Sequence, residues 1–298
     1  MTPIPEQYRK SGKIVAEVKP LVQSAVRPGV KFLEVCDLVR SEVESRGGLL
    51  AFPTGIGVNQ VTAHYAPQDG DESVFREDDL VKVDFGVHVD GYVTDTSVSV
   101  TFNPDYNLLL EATQRALDAA IAMARRETRT GEIGRTIHRE AARFGFKTIE
   151  NLTGHTVDRY TVHAGKSIPN LYMPGMQDLR KGDVFAIEPF LTLGSAAGYV
   201  VDVPTSLTIF SIVARKKTGV ADLDAFAEKV WGERKTLPFT PQWYSEEFGR
   251  DKVQGVVSRL VAKRVLRAYP TLVEASGNPV AQFEHTMVLD EGGLVVLT

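Results

Sequence analysis

Apolar residues recur at three- and four-residue spacing over residues 5–26 and 31–46, which predicts two amphipathic helices. Arg27-Pro28-Gly29 separates them and Gly47-Gly48 ends the second. The pattern then changes period. Residues 80–102, LVKVDFGVHVDGYVTDTSVSVTF, alternate strictly, with Asp90-Gly91 as the two-residue turn of a hairpin. With that turn, Val83 opposes Val98, Val81 opposes Val100 and Phe85 opposes Thr96, so one face is apolar. The other face carries Lys82, Asp84, Gly86 and His88 on the first strand and Asp95, Ser97 and Ser99 on the second. Asp95 is the diagonal neighbour of Asp84, about 7–8 Å away at the backbone, so the two carboxylates can converge. His88, close to the turn, is expected at the surface.

Residues 105–126 and 131–145 predict a second helix pair, the latter capped by Thr130. Strand patterning follows again. Val61-Thr62-Ala63-His64 matches Tyr160-Thr161-Val162-His163, and the six residues Asp79 to Asp84 match Asp183 to Glu188. We read an internal repeat of about 100 residues, whose two halves face one another across a shared centre. From 207 to 270 the character shifts to a helical, charge-rich segment with Pro238 and Pro241 inside it and a long helix expected over 252–268. It holds 12 basic and 7 acidic residues although the whole chain carries −4, which marks it as an insertion into a domain made of 1–206 and 271–298. Gln282 to Leu289 resumes strand alternation.

The 298 residues suffice for a large core, and the mild acidity argues against a general nucleic-acid binder. No apolar run reaches the length of a membrane span and the N-terminus lacks a signal-peptide core, so a cytoplasmic, non-membrane protein is expected. The single cysteine, Cys36, excludes a disulfide framework and sits at a helical core position, so it reads as a buried thiol.

Five residues carry the chemistry: Asp84, Asp95, His155, Glu188 and Glu284. Their oxygen and nitrogen donors hold too many anions for one ion and suit a pair of divalent metals about 3.5–4 Å apart. His155 follows Gly154, where the backbone can approach closely, while Ile187-Glu188-Pro189 and Phe283-Glu284-His285 place glutamates within apolar strands. A buried carboxylate needs a cation, and neither strand supplies one next door. Of the other histidines, His138 reads as structural within its helix, and His285 should point away from Glu284's side of its strand.

The blocks Ala51-Phe52-Pro53-Thr54-Gly55 through Ala63-His64-Tyr65, Val83-Asp84-Phe85-Gly86 with Asp95, Asn151 to His155, His163 to Lys166, Ile187 to Phe190 and Ala281 to Thr286 closely resemble the methionine aminopeptidase family. The resemblance covers almost the whole chain. The insertion before Glu284 and the Asn-Leu-Thr-Gly-His form of the histidine block look like the type II branch, in its short archaeal form.

This resemblance implies an α+β pita-bread fold, two pseudo-symmetric halves around a curved antiparallel sheet, with a helical, winged-helix-like insertion. It implies two divalent ions, cobalt, manganese, iron or zinc. Asp84 would hold the first, Asp95 and Glu284 would bridge the two, and His155 and Glu188 would complete the second. Glu188 would also shuttle protons, with His64 and His163 as non-ligand histidines serving the leaving amide and the tetrahedral intermediate. Phe52 and Val162 match methionine-pocket positions, and Tyr172, Met173 and Tyr199 are candidates for further walls.

The implied activity is metal-dependent removal of the initiator methionine from nascent chains with a small second residue, by a monomer. Two readings compete with it. Aminopeptidase P or prolidase share the fold but usually carry an additional N-terminal domain. Non-catalytic RNA- or protein-binding relatives have lost ligands that are all present here. Arg215-Lys216-Lys217 and the basic insertion allow a transient ribosome contact, although a solvated charged face accounts for them more simply.

Overall fold

A computed structural model describes residues 4–298. Helices α1 (Glu6–Ala25) and α2 (Phe32–Ser45) lead into strands β1 (Leu49–Leu50), β2 (Gly55–Val58) and β3 (Val61–Ala63), then the hairpin β4 (Leu80–Val89) and β5 (Tyr92–Thr101). The hairpin has the register dictated by its turn, with Val83 opposite Val98 and Asp84 opposite Ser97. Asp90 and Gly91 both have positive φ, 52° and 87°, as a turn that matches the strand twist requires. A Cβ at position 91 would also stand 2.4 Å from the Tyr160 ring.

The second half repeats this order with α3 (Asn107–Met123), α4 (Thr130–Arg143), β6 (Lys147–Thr148), β7 (Thr153–Val157), β8 (Ser167–Pro169), β9 (Val184–Ile187) and β10 (Phe190–Thr192). The repeat extends to individual hydrogen bonds. The Phe75 and Leu179 amides donate to the Val30 and Thr128 carbonyls, and the Phe32 and Thr130 amides to those of Ser73 and Gln177. The Arg76 and Arg180 amides donate to Asp79 Oδ2 and Asp183 Oδ2. Thr130 is therefore the first residue of α4 rather than its cap, because a distant carbonyl satisfies its amide and Arg129 occupies the cap position.

The chain continues through β11 (Val200–Ile212), α5 (Ala221–Arg234), α6 (Ser245–Phe248), α7 (Arg250–Ala262) and β12 (Leu266–Glu274), and ends with β13 (Val280–Gln282), β14 (His285–Leu289) and β15 (Leu294–Val296). Strands β11 and β12 pair from Val200 opposite Glu274 to Ile212 opposite Leu266. The helix expected over 252–268 stops at Ala262, because Val265 and Leu266 are drawn into a separate apolar core around Phe226, Phe239 and Tyr244. The segment 207–270 begins and ends inside this strand pair, where Leu207 lies opposite Pro270.

Helices α1 and α2 cover the apolar face of the hairpin through Val15, Val18, Val35 and Phe85, and α3 and α4 cover β9 and β14 through Leu117, Ile133, Phe185 and Met287. Each such large side chain contributes about 1.5–3 kcal/mol on burial. Two pseudo-symmetric halves on antiparallel strands, with an inserted helical segment, are the architecture that the resemblance implied.

The polar hairpin face is buried as well, because the second half and the insertion close over it: Lys82 is 1% exposed and His88 3%. His88 is thus no surface group. Its Nδ1 accepts from the Gly91 amide at 3.1 Å and its ring lies 6.0 Å from that of Tyr160. Burial, then the Arg234 charge, pushes its pKa down to about 4. Below about pH 6.5 the unfolded chain takes up a proton that the folded chain refuses until about pH 4, so stability is lost as pH falls through this window. A His88→Gln variant is expected to escape about 2–3 kcal/mol of that loss. Urea denaturation of both proteins at pH 7 and pH 4.5 checks this, and parallel losses would reject it.

Candidate active site

One transverse row of residues crosses the seam between the halves. Asp84 on β4 lies opposite Ser97 on β5, and Ser97 in turn bridges to Glu284. Beyond it, His285 pairs with Ile187 and Gln282 with Phe190, a single register that sets Glu284 opposite Glu188. Neither glutamate sits inside a strand, contrary to the reading from alternation. Glu188 lies in the break between β9 and β10, where Pro189 has no amide to continue the ladder, and Glu284 lies in the break between β13 and β14. Asp95 stands on β5 opposite Gly86, and His155 on β7 opposite Ala186. A Cβ at Gly154 would stand 2.4 Å from the Ala186 carbonyl oxygen, so glycine permits the close approach that brings His155 in.

All five candidate ligands, with His64 and His163, line one cavity of about 230 Å³. Single donor atoms of Asp95, His155 and Glu284 lie within 4.8 Å of one another. His155 Nε2 is 3.7 Å from Asp95 Oδ2 and 3.4 Å from Glu188 Oε1. Burial, then the charge of His163, pushes His155 down to about 3, so the ring is neutral. Its Nδ1 lies 3.4 Å from the Thr156 carbonyl; the tautomer that donates there leaves an Nε2 lone pair facing two carboxylates.

Those carboxylates are equally frustrated. Burial raises Asp84 to about 7, opposed by a hydrogen bond from Gln282. Burial and then the Asp84 charge raise Asp95, while burial and then Asp95 raise both Glu188 and Glu284. Asp84 Oδ1, Asp95 Oδ1 and Glu284 Oε1 are buried without a hydrogen-bond partner. Anions crowded beside a lone pair, with unpaired oxygens, fit divalent cations.

His64 follows β3 with a φ of 63°, a strained conformation for a side chain with a Cβ. Burial, then the charge of His163, pushes it down to about 4. His163 keeps an exposed edge at the cavity mouth, its ring 4.3 Å from that of His155, and partial burial of the ring, then the Arg267 charge, lowers its basicity.

Phe52 and Val162 form apolar walls of the cavity, joined by Phe190, Ile209, Pro238 and Tyr269. Tyr172, Met173 and Tyr199 do not line it; they are exposed, and Tyr172 stacks under the Arg135 guanidinium at 3.8 Å. Tyr269 escaped the sequence reading because its only signal is one aromatic in a strand reached through the insertion. Gln282 was missed as well: its Nε2 donates to Glu188 Oε2 at 3.3 Å, and its place two residues before Glu284 was the available signal. Lys19 on α1 donates to the Glu284 main-chain carbonyl at 3.2 Å, so a helix holds this strand break in place.

The remaining candidates do not line the cavity. His285 turns to Thr298 Oγ1 at 3.2 Å, and His138 to Thr148 Oγ1 at 3.3 Å. Burial pushes the Cys36 thiol up to about 12, so it stays protonated.

The chain is 40% identical to a methionine aminopeptidase from Pyrococcus horikoshii over 97% of each chain, and 36% identical to one from Methanothermobacter thermautotrophicus over 98% of each. Among solved structures, a thermophilic Arx1 superposes with a TM-score of 0.85 at 18% identity, covering 98% of this chain and 89% of that one. A methionine aminopeptidase from Thermotoga maritima gives 0.72 at 24% identity over 100% and 99%. These two show the shared fold. No helix among the described residues is long and apolar enough to cross a membrane. The model of metallopeptidase family M24 matches residues 6–291, and a match of that extent, over a centre built for cations, makes this chain a member of the family.

Proposed function

We propose that the chain removes the N-terminal methionine from nascent proteins and peptides whose second residue is small, using two divalent ions held by Asp84, Asp95, His155, Glu188 and Glu284. The observation that carries this reading is the single cavity in which these five residues face an apolar wall of Phe52, Val162, Phe190 and Tyr269. A flexible thioether suits such a slot. When bound, the ions supply a water of lowered pKa and polarise the scissile carbonyl.

The chain's own residues do the rest. Gln282 occupies Glu188 Oε2, and burial raises this carboxylate's affinity for a proton. Glu188 is thus suited to take the proton of the attacking water and pass it to the leaving amine. His64, neutral at pH 7, offers a hydrogen bond to the substrate amide without placing a charge in the pocket. His163, at the mouth, is placed to stabilise the oxyanion by hydrogen bonding. On this reading the chain works in the cytoplasm, where it meets nascent N-termini.

Release of methionine from Met-Ala-Ser, measured after EDTA treatment and after adding manganese, cobalt, iron or zinc, is the test. We expect metal-restored release, and no release with any of the four ions overturns the proposal.

A further inference from the structure

A second cavity of about 400 Å³ adjoins the catalytic one, sharing Val162, His163, Pro238 and Tyr269 with it. It follows the strand pair of the insertion. Tyr269 opposes Ile209 at the catalytic end, and Arg267 opposes Ser211 one step outward on the same face. Ser211 Oγ and the Tyr269 hydroxyl are hydrogen-bonded at 3.0 Å, which ties the two steps together. Farther out the groove reaches Arg215, whose guanidinium stacks on the Trp231 ring at 4.8 Å.

No acidic side chain lines this groove. Neither Arg215 nor Arg267 has a carboxylate partner among the described residues, although basic groups nearby on the insertion do: Lys217 pairs with Glu228, and Lys229 with Glu233 and Glu247. Two guanidinium groups are thus left without a carboxylate in a concave groove that shares His163 with the catalytic cavity. A guanidinium stacked on an aromatic face keeps its N–H edge free for a carboxylate.

We infer that this groove binds the part of the substrate peptide downstream of the scissile bond and selects acidic side chains at its third to fifth residues, through Arg267 and Arg215. The inference rests on the peptidase reading above. The step from Tyr269 to Arg267 spans two strand residues, about 7 Å, and an extended peptide covers that distance in two residues of its own. With methionine in the apolar slot and the scissile bond at His163, the residues after the second are those that reach the guanidinium groups. The wall shared with the catalytic cavity favours the substrate peptide over a nucleic-acid backbone, because only the peptide must run from the reacting centre into this groove.

The test compares kcat/KM for Met-Ala-Asp-Asp-Asp-Gly, Met-Ala-Ser-Ser-Ser-Gly and Met-Ala-Lys-Lys-Lys-Gly with the metal-loaded enzyme. Because the arginines are solvent-facing, the acidic peptide is expected to exceed the basic one about 5-fold at low salt, chiefly through KM, and the ratio should shrink in 0.5 M salt. Arg267→Glu combined with Arg215→Glu should bring the ratio below one, and Arg267→Gln alone should bring it close to one, with circular dichroism showing that each variant is folded. A wild-type ratio near one, or a ratio that the variants leave unchanged, overturns the inference while hydrolysis of the neutral peptide leaves the peptidase reading standing. Failure to release methionine from any of the three removes both. A ratio near one together with salt-sensitive ribosome sedimentation that Arg267→Glu abolishes would assign the groove to nucleic acid and equally overturn the inference.

Discussion

Glu284→Gln is expected to reduce methionine release by about 10³-fold or more, the loss of roughly 4 kcal/mol of transition-state stabilisation. The substitution keeps the shape and removes one charge from the middle of the row Asp84, Ser97, Glu284, Glu188. Its effect on stability should run the other way in the metal-free protein. There Glu284 is a buried carboxylate with an unpaired Oε1 beside Asp95 and Glu188, so the neutral amide relieves a repulsion. Adding metal reverses the order. At a thousandfold excess over Kd a ligand contributes about 4 kcal/mol to the folded state, and the variant should gain only a fraction of that. Thermal melts of both proteins with EDTA and with manganese, alongside metal content and activity, measure all three effects. A variant that keeps wild-type activity, or one whose melting temperature rises with metal as much as the wild type's, would remove Glu284 from the centre.

Arg234→Met should cost about 3–5 kcal/mol of stability, because one guanidinium satisfies three buried carbonyls at once. Arg234 ends α5, is 7% exposed, and donates to Leu50 at 2.7 Å, Ala51 at 2.9 Å and Pro238 at 2.8 Å. Burial lowers its pKa to about 10, so it keeps its charge at neutral pH, and the Trp243 ring lies 4.8 Å from it. Methionine of similar length would fill the space and leave the three oxygens unpaired. The loss reaches the site through the backbone. Ala51 precedes Phe52, and Pro238 itself lines the cavity, so two walls of the proposed methionine slot drift apart once the fork that joins them is gone. Arg234 is thus a positioning residue, and its removal should raise KM more than it lowers kcat. Arg234→Lys, a point charge that cannot fork, should recover only part of both losses. Urea denaturation and a KM-against-kcat comparison on Met-Ala-Ser decide the matter; a loss below about 1 kcal/mol with an unchanged KM would show that the insertion docks by other contacts.

Much of this molecule is local and therefore legible in the chain. The hairpin register follows from Asp90-Gly91, because a two-residue turn leaves one pairing and a slip by one residue would turn every side chain over. The repeat, the helix pairs and the five ligand candidates likewise show in short blocks, since each is written in residue type and spacing. Alternation could not say which face meets solvent. It assigned His88 to the surface, whereas the second half and the insertion, distant in sequence, close over that face. For the same reason α7 stops before Val265, the two glutamates fall in strand breaks, and the slot is walled by Tyr269 and Pro238 instead of Tyr172, Met173 and Tyr199. The sequence alone determined the types of the candidate ligands, their spacing and the register of the first pair of carboxylates. Only tertiary structure decided burial, the strand breaks opposite one another and the groove of unpaired arginines, because these depend on which distant surfaces are pressed together, and no local pattern encodes that.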